Sequence, residues 1–302
     1  DRPAVEDLDA LPFPIRPAET VMKHHDWHIF GMRKPYITMI TPRGCPFDCT
    51  FCTSPVIWGH KVRRRSVDNV LAEIDHEVET NGVRYIGFKD DIFGTSVEWT
   101  REFCEKLIAR PYKVRWSAMV HPFSFKKERD WIVPLMARAG LDILIPGLQS
   151  VDAGVLTNIS RDPREPYELA EMLRIAQREG VSTVLQFIFG LPGDSEATMD
   201  ASLRYALAVR PNYAQFYRLS FLEGAELERQ FPRQDPTEFP PEEIERRVAR
   251  AQRRFYTHPA VLARNLAHVL RKNPRWLLVA ARHAGYILAA AGFPIGVKAD
   301  PC

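Results

Sequence analysis

The chain has 302 residues, of which 45% are hydrophobic and 26% charged, with a net charge of +3. That length buries one large α/β core or two smaller ones, and the composition is that of a globular protein, which sets aside fibrous and disordered classes. So balanced a charge argues neither for nor against a nucleic-acid partner.

The opening stretch "DRPAVEDLDALPFPIRPAE" is acidic and proline-rich and lacks the apolar centre of a secretory leader. Residues 1–34 read as a linker or extension with no domain before it, so the chain is expected to be a piece of something longer. Within it, "DWHIFG" (Asp26 to Gly31) fits an Asp-x-His-x-x-Gly pattern by which histidine ligates cobalamin. Such a motif follows a buried strand, and "PAETVMKHH" is not one, so the match is set aside.

From residue 35 to 222, six strand-like runs alternate with helical patterns. The strands are expected at 36–41, 84–88, 114–120, 141–147, 182–190 and 213–221, and most are unbroken apolar runs, as strands covered on both faces are. Ser66 is placed to cap a helix carrying Val67, Val70, Leu71, Ile74 and Val78, which Gly82 closes. Thr95 and Glu98 are spaced as a capping box for the next helix. In that helix Cys104 shares an apolar side with Trp99, Phe103 and Leu107 and reads as a small core residue. The run Arg63, Arg64, Arg65 reads as a solvated charged face. Pro166 stands near the start of a further helix that Gly180 ends. Repeated β-α units imply a parallel sheet with right-handed crossovers, either an open three-quarter barrel or a doubly wound sheet.

Residues 223–302 change character: a proline-rich linker precedes three helical segments, a helical appendix on the main domain. The last, "WLLVAARHAGYILAAAG", is apolar but interrupted by Arg282 and His283, which argues against a membrane span.

Three of the five cysteines crowd into "TPRGCPFDCTFC". An odd count in a long chain, at spacing too tight for a disulfide framework, points to a reducing, cytoplasmic setting. Cys45, Cys49 and Cys52 follow the first strand, on a loop that Gly44, Pro46 and Asp48 suit to tight turns. A structural zinc site needs four ligands, and the nearest further candidates, His24, His25, His28 and His60, lie at no familiar zinc spacing. An iron–sulfur cluster held by three thiolates keeps one iron open for another ligand.

The stretch "RGCPFDCTFC" resembles the signature of the radical S-adenosylmethionine (radical SAM) superfamily. "RRRSVDNVLAEI", "VRYIGFKDDIFG", "LDILIPGLQSVDAGVLTNISR", "LQFIFGLPGDSEAT" and "RAQRRFYTHP" are similar to segments of its cobalamin-associated branch, whose members usually carry a cobalamin domain not visible in this chain. The resemblance implies an α/β fold, a partial (β/α)6 TIM-like barrel with the helical appendix. It further implies a 4Fe–4S cluster on Cys45, Cys49 and Cys52, and S-adenosylmethionine chelated at the open iron. Reductive cleavage of its sulfonium would give a 5′-deoxyadenosyl radical, for methylation or rearrangement of a small-molecule substrate, with cobalamin as a possible methyl carrier. An electron donor such as flavodoxin or ferredoxin is implied as partner, with no clear nucleic-acid binding. Two other classes stay open: a cobalamin-independent enzyme of methylthiotransferase or isomerase type, and a non-catalytic iron–sulfur scaffold. The mixed charge of the tail weighs against the RNA-modifying methylthiotransferases.

The same resemblance assigns the remaining residues. Asp90 and Asp91 mark the region that meets the SAM amino group. Gln149 and Ser150 contact SAM where a Glu-Ser pair is common, so the glutamine forgoes an ion pair there. Arg161 is placed to hold the SAM carboxylate, and Gly190, Pro192 and Gly193 to let the backbone approach the adenine. Phe47 and Phe51 either shield the cluster or simply pack. His121, ending the third strand, would face the barrel mouth and is the leading substrate contact.

Overall fold

The computed structural model describes residues 4–23, 35–231 and 236–272. His24, His25, His28, the "DWHIFG" motif, the last helical segment and Cys302 lie outside the described residues.

Six strands form one parallel sheet in chain order: β1 (Tyr36–Met39), β4 (Tyr85–Phe88), β5 (Arg115–Val120), β6 (Leu141–Gln149), β7 (Ser182–Phe189) and β8 (Tyr213–Arg218). The sheet is an open, partial barrel. Each strand falls within or close to its expected run, because a strand buried on both faces must be apolar throughout. Two further strands, β2 (Pro42–Arg43) and β3 (Arg63–Arg64), pair antiparallel across the base of the cysteine loop.

Helices cover the outer face: α3 (Val67–Asn81), α4 (Val97–Ile108), α5 (Arg129–Arg138), α7 (Glu165–Arg178) and α8 (Glu196–Val209). Val70, Leu71 and Ile74 of α3 and Phe103, Cys104 and Leu107 of α4 press onto Ile86, Phe88 and Trp116. Each such fully buried aliphatic or aromatic side chain contributes about 1.5–3 kcal/mol. Ser66 caps α3, its hydroxyl accepting from Asn69 N at 3.1 Å. The cap of α4 differs from expectation. It is Ser96, whose hydroxyl accepts from Trp99 N at 3.2 Å, while Thr95 accepts from Arg64.

Before the barrel, α1 (Ala18–Lys23) and the stretch leading to it cross α3 and the ribbon as a strap. Leu8 and Val21 are buried. Arg16 pairs with Glu73 at 2.7 Å and Glu77 at 2.9 Å, both carboxylates being 1% exposed. It also donates to the Thr38 carbonyl on the edge strand β1. The arginine run is consequently no solvated face. Arg63 is buried and donates to the carbonyls of Val5 and Trp58, and Arg65 pairs with Glu73 beneath the Phe13 ring.

After the barrel come α9 (Glu226–Gln230), α10 (Pro241–Tyr256) and α11 (Pro259–Lys272). Ile244, Ala251 and Phe255 of α10 join the core of β7 and β8. Tyr256 Oη and Gln252 Nε2 donate to the carbonyls of Ala214 and Phe216 on the other edge strand, β8. No helix of the described residues is long and apolar enough to cross a membrane.

Candidate active site

All the expected site residues lie at the C-terminal ends of the parallel strands, where barrel chemistry collects. The cysteine loop leaves β1, passes through the short helix α2 (Ser54–Trp58) and returns along β3. Its entry is tight. Gly44 has φ +102°, and a Cβ there would stand 2.3 Å from the Lys61 carbonyl oxygen. The two phenylalanines anchor the loop on opposite sides. Phe47 stacks on His121 with ring centroids 3.7 Å apart. Phe51 packs against Val155, Leu156, Ile159 and Leu191, near α6 (Ala153–Asn158).

Cys45, Cys49 and Cys52 are free thiols. Burial pushes Cys45 up to about 11 and raises Cys49 and Cys52 as well, and the three repel one another as thiolates. Holding all three deprotonated thus calls for added positive charge, and among the described residues Arg161 is the cation that touches a sulfur, Nη1 standing 3.9 Å from Cys49 Sγ. Among the described residues, no three His, Cys, Asp or Glu side chains gather closely enough for a single metal ion. A four-iron cluster takes its thiolates at separate irons, one each. The all-sulfur donor set and the charge deficit fit such a cluster. His60 pairs with Asp48 at 3.3 Å on the surface and brings no fourth donor to the loop.

Around the loop, the expected residues divide. Asp91 is exposed, whereas Asp90 is 1% exposed and accepts from Thr41 N at 2.6 Å and Thr41 Oγ1 at 2.7 Å. Asp90 thus ties the loop after β4 to the chain after β1, and of the two aspartates Asp91 is the one open to a ligand. Gln149 ends β6 at φ +73°, at a bulge against β7. Ser150 is buried and accepts from Asp152 N at 3.2 Å.

Arg161 and His121 differ from their expected settings. Arg161 turns one edge, Nε and Nη2, to Glu165 Oε2 at 2.7 and 2.5 Å, and Nη2 also donates to the Gly147 carbonyl at 2.8 Å. That edge is closed to a carboxylate ligand; only Nη1 faces the loop. His121 does not open onto the mouth. It is 4% exposed, covered by Phe47, with Nε2 3.4 Å from Glu165 Oε1.

Beyond β7, Gly190, Pro192 and Gly193 form a turn held by a residue that sequence reasoning passed over. Asp194 accepts from Gly190 N at 2.9 Å, Leu191 N at 3.0 Å and the Thr198 hydroxyl at 2.7 Å. Gly193 has φ +86°, and a Cβ there would meet Asn158 Nδ2 at 2.7 Å. Its signal was present: an aspartate directly after Pro-Gly and before the cap of α8 has turn donors within reach. Inside the barrel, Tyr36, Tyr85, Ile143 and Val184 fill the lower lumen. Above them Gln186 Nε2 donates to Gln215 Oε1 at 3.1 Å, giving the upper wall a neutral polar lining. A cavity of about 250 Å³ beside Val114, Arg115 and Gly140 lies at the opposite end of the strands, away from the cysteines.

A family model described as the radical SAM superfamily matches residues 39–206. The chain is similar to an uncharacterized methyltransferase of Pyrococcus horikoshii, at 23% identity over 88% of this chain and 60% of that protein. It is also similar to the cytidylyl-2-hydroxyethylphosphonate methyltransferase of Streptomyces wedmorensis, at 27% identity over 77% of this chain and 45% of that one. The chain thus spans 60% or less of the length of these relatives. Among solved structures, it is similar to the radical SAM methyltransferase TsrM of Kitasatospora setae, bound to tryptophan and a SAM analogue. There the TM-score is 0.54 at 19% identity, covering 60% of this chain and 35% of that one. Coproporphyrinogen III oxidase of Escherichia coli gives 0.55 at 15% identity, over 74% of this chain and 52% of that chain. At such identities the structural likeness is one of fold.

Proposed function

The chain belongs to the radical SAM superfamily, and from that premise we propose that it is the core of an enzyme that cleaves S-adenosylmethionine reductively in order to methylate a small molecule. The observation that carries this reading is three free thiols on one glycine-gated loop, at the C-terminal end of an open six-stranded parallel barrel. Cys45, Cys49 and Cys52 would hold a 4Fe–4S cluster. When bound, that cluster supplies the electron that breaks the SAM sulfonium bond to give a 5′-deoxyadenosyl radical.

The chain's own residues hold the reactants and exclude water. Asp91 and Gln149 are placed for the methionine moiety, Gln149 through neutral hydrogen bonds. Arg161, its Nη1 turned to the Cys49 sulfur, lends positive charge beside it, and Ser150 shapes the turn behind. The turn of Gly190, Pro192 and Gly193, locked by Asp194, offers backbone to the adenosine. The upper lumen, with Gln186 and Gln215, receives the substrate. Methyl transfer rather than rearrangement is favoured because both relatives are named as methyltransferases, and cobalamin, bound in another TsrM structure of the same fold, is the methyl carrier to add.

The test is anaerobic reconstitution with iron and sulfide, then SAM and dithionite, with 5′-deoxyadenosine as the readout. Wild type is expected to form it, and Cys45→Ala, Cys49→Ala and Cys52→Ala to lose it; added methylcobalamin then tests methyl transfer. A wild-type chain that binds only zinc, or that binds a cluster and leaves SAM intact, would falsify the reading.

A further inference from the structure

Two contacts lead away from the cysteine loop and meet at one buried carboxylate. On one side the Phe47 ring, set between Cys45 and Cys49, lies nearly parallel to the His121 imidazole, at 11° and 3.7 Å. His121 Nδ1 accepts from Phe123 N at 3.2 Å, which leaves its proton on Nε2, facing Glu165 Oε1 at 3.4 Å. On the other side Cys49 Sγ receives Arg161 Nη1, whose guanidinium is gripped by Glu165 Oε2 and by the Gly147 carbonyl. Glu165 is 1% exposed and begins α7, so both arms hang from the first turn of one helix. The three buried polar groups satisfy one another, as groups withdrawn from water must.

We infer that His121, Glu165 and Arg161 are positioning residues for the cysteine loop: His121 seats the Phe47 ring, and Glu165 aims the Arg161 Nη1 at the Cys49 sulfur. The inference rests on the cluster reading above and goes beyond it, because it makes the three thiolates unequal. Among the described residues Cys49 is the thiol that a guanidinium touches, while Cys52 feels the same charge at longer range. A cation donating to a cluster thiolate stabilises the reduced, more negative state, so Arg161 raises the midpoint potential. The seat acts without any cluster: with Phe47 unsupported, the loop would open more often than the barrel beneath it.

The experiment uses the full chain in two states. In the iron-free state, alkylation of Cys45, Cys49 and Cys52 by iodoacetamide is followed by mass spectrometry under reducing conditions. His121→Ala is expected to speed the reaction about tenfold, and His121→Phe, which keeps a ring under Phe47, to stay within about twofold of wild type. In the reconstituted state without SAM, a potentiometric titration read by electron paramagnetic resonance gives the midpoint. R161Q/E165Q removes one charge of each sign, so the net charge is unchanged. It is expected to disfavour reduction about tenfold, ~59 mV for one electron. If that double variant takes up no cluster, Arg161→Lys, with a shorter reach to the sulfur, carries the measurement, and a fall of about threefold is expected. Equal alkylation rates in His121→Ala and wild type overturn the seat. An unchanged midpoint at equal iron content overturns the aimed guanidinium. Failure of wild type to take up a 4Fe–4S cluster defeats the functional reading instead, and the alkylation comparison still decides the seat.

Discussion

Replacing Asp90 separates a structural carboxylate from a ligand-binding one. The group is 1% exposed and carries two bonds from Thr41, itself 2% exposed. Burial nevertheless dominates, pushing the carboxyl up from 3.8 to about 7. The folded state therefore holds this proton more tightly than the unfolded chain does. Its contribution to stability is complete below pH 3.8 and is lost as pH rises through about 7. The loss amounts to about 4 kcal/mol, at 1.36 kcal/mol for each unit between the two values. Asp90→Asn keeps an acceptor for the Thr41 amide but cannot ionise, so that slope disappears. Asp90→Ala leaves the amide and hydroxyl of Thr41 unpaired, at about 1–3 kcal/mol each, at every pH. The assay is urea unfolding of the iron-free chain from pH 5 to pH 8.5. The wild-type midpoint should fall relative to that of Asp90→Asn across this range. Parallel curves for the two proteins would refute the argument, and so would a SAM affinity that falls in Asp90→Asn but not in Asp91→Asn.

Arg16→Ala strips the counter-charge from Glu77 and half of that from Glu73. It should cost about 3 kcal/mol, seen as a drop of roughly 6–12 °C in Tm; a drop under 2 °C, about half a kcal/mol, would show the strap to be dispensable. Gly44→Ala places a Cβ 2.3 Å from the Lys61 carbonyl at a φ of +102°. Iron content after reconstitution should fall steeply while far-ultraviolet circular dichroism is kept, and full iron loading would show that the loop entry tolerates a side chain.

What the sequence discloses and what it withholds follow from distance along the chain. Buried parallel strands announce themselves as apolar runs, and three cysteines within eight residues need no fold to be noticed. Ser66 and Gly82 are local signals and sit where helix chemistry puts them. The choice between Thr95 and Ser96 as cap turned on one residue of register, and both types are able caps. Asp90 and Asp91 are chemically identical neighbours; only the packing of the loop after β4 on Thr41, 49 residues away in sequence, buries one of them. The ribbon of Pro42–Arg43 with Arg63–Arg64 is two residues long, too short for any periodicity. His121, Glu165 and Phe47 come from three separate crossovers, so their meeting is a property of the barrel and of no local pattern. The strap hid within a proline-rich stretch, where Leu8, Arg16 and Val21 look like linker residues until α3 lies beneath them.

A barrel of six strands has a seam, and a seam has two raw borders. Unpaired strand borders invite a second chain to add itself on. Here neither border is left bare. Arg16 of the strap fastens onto Thr38 of β1, and Tyr256 and Gln252 fasten onto Ala214 and Phe216 of β8. Among the described residues, side chains do at these borders what two more strands do in a closed barrel. The two flanking segments thus act as hems, denying a stray strand the ladder it would need to attach.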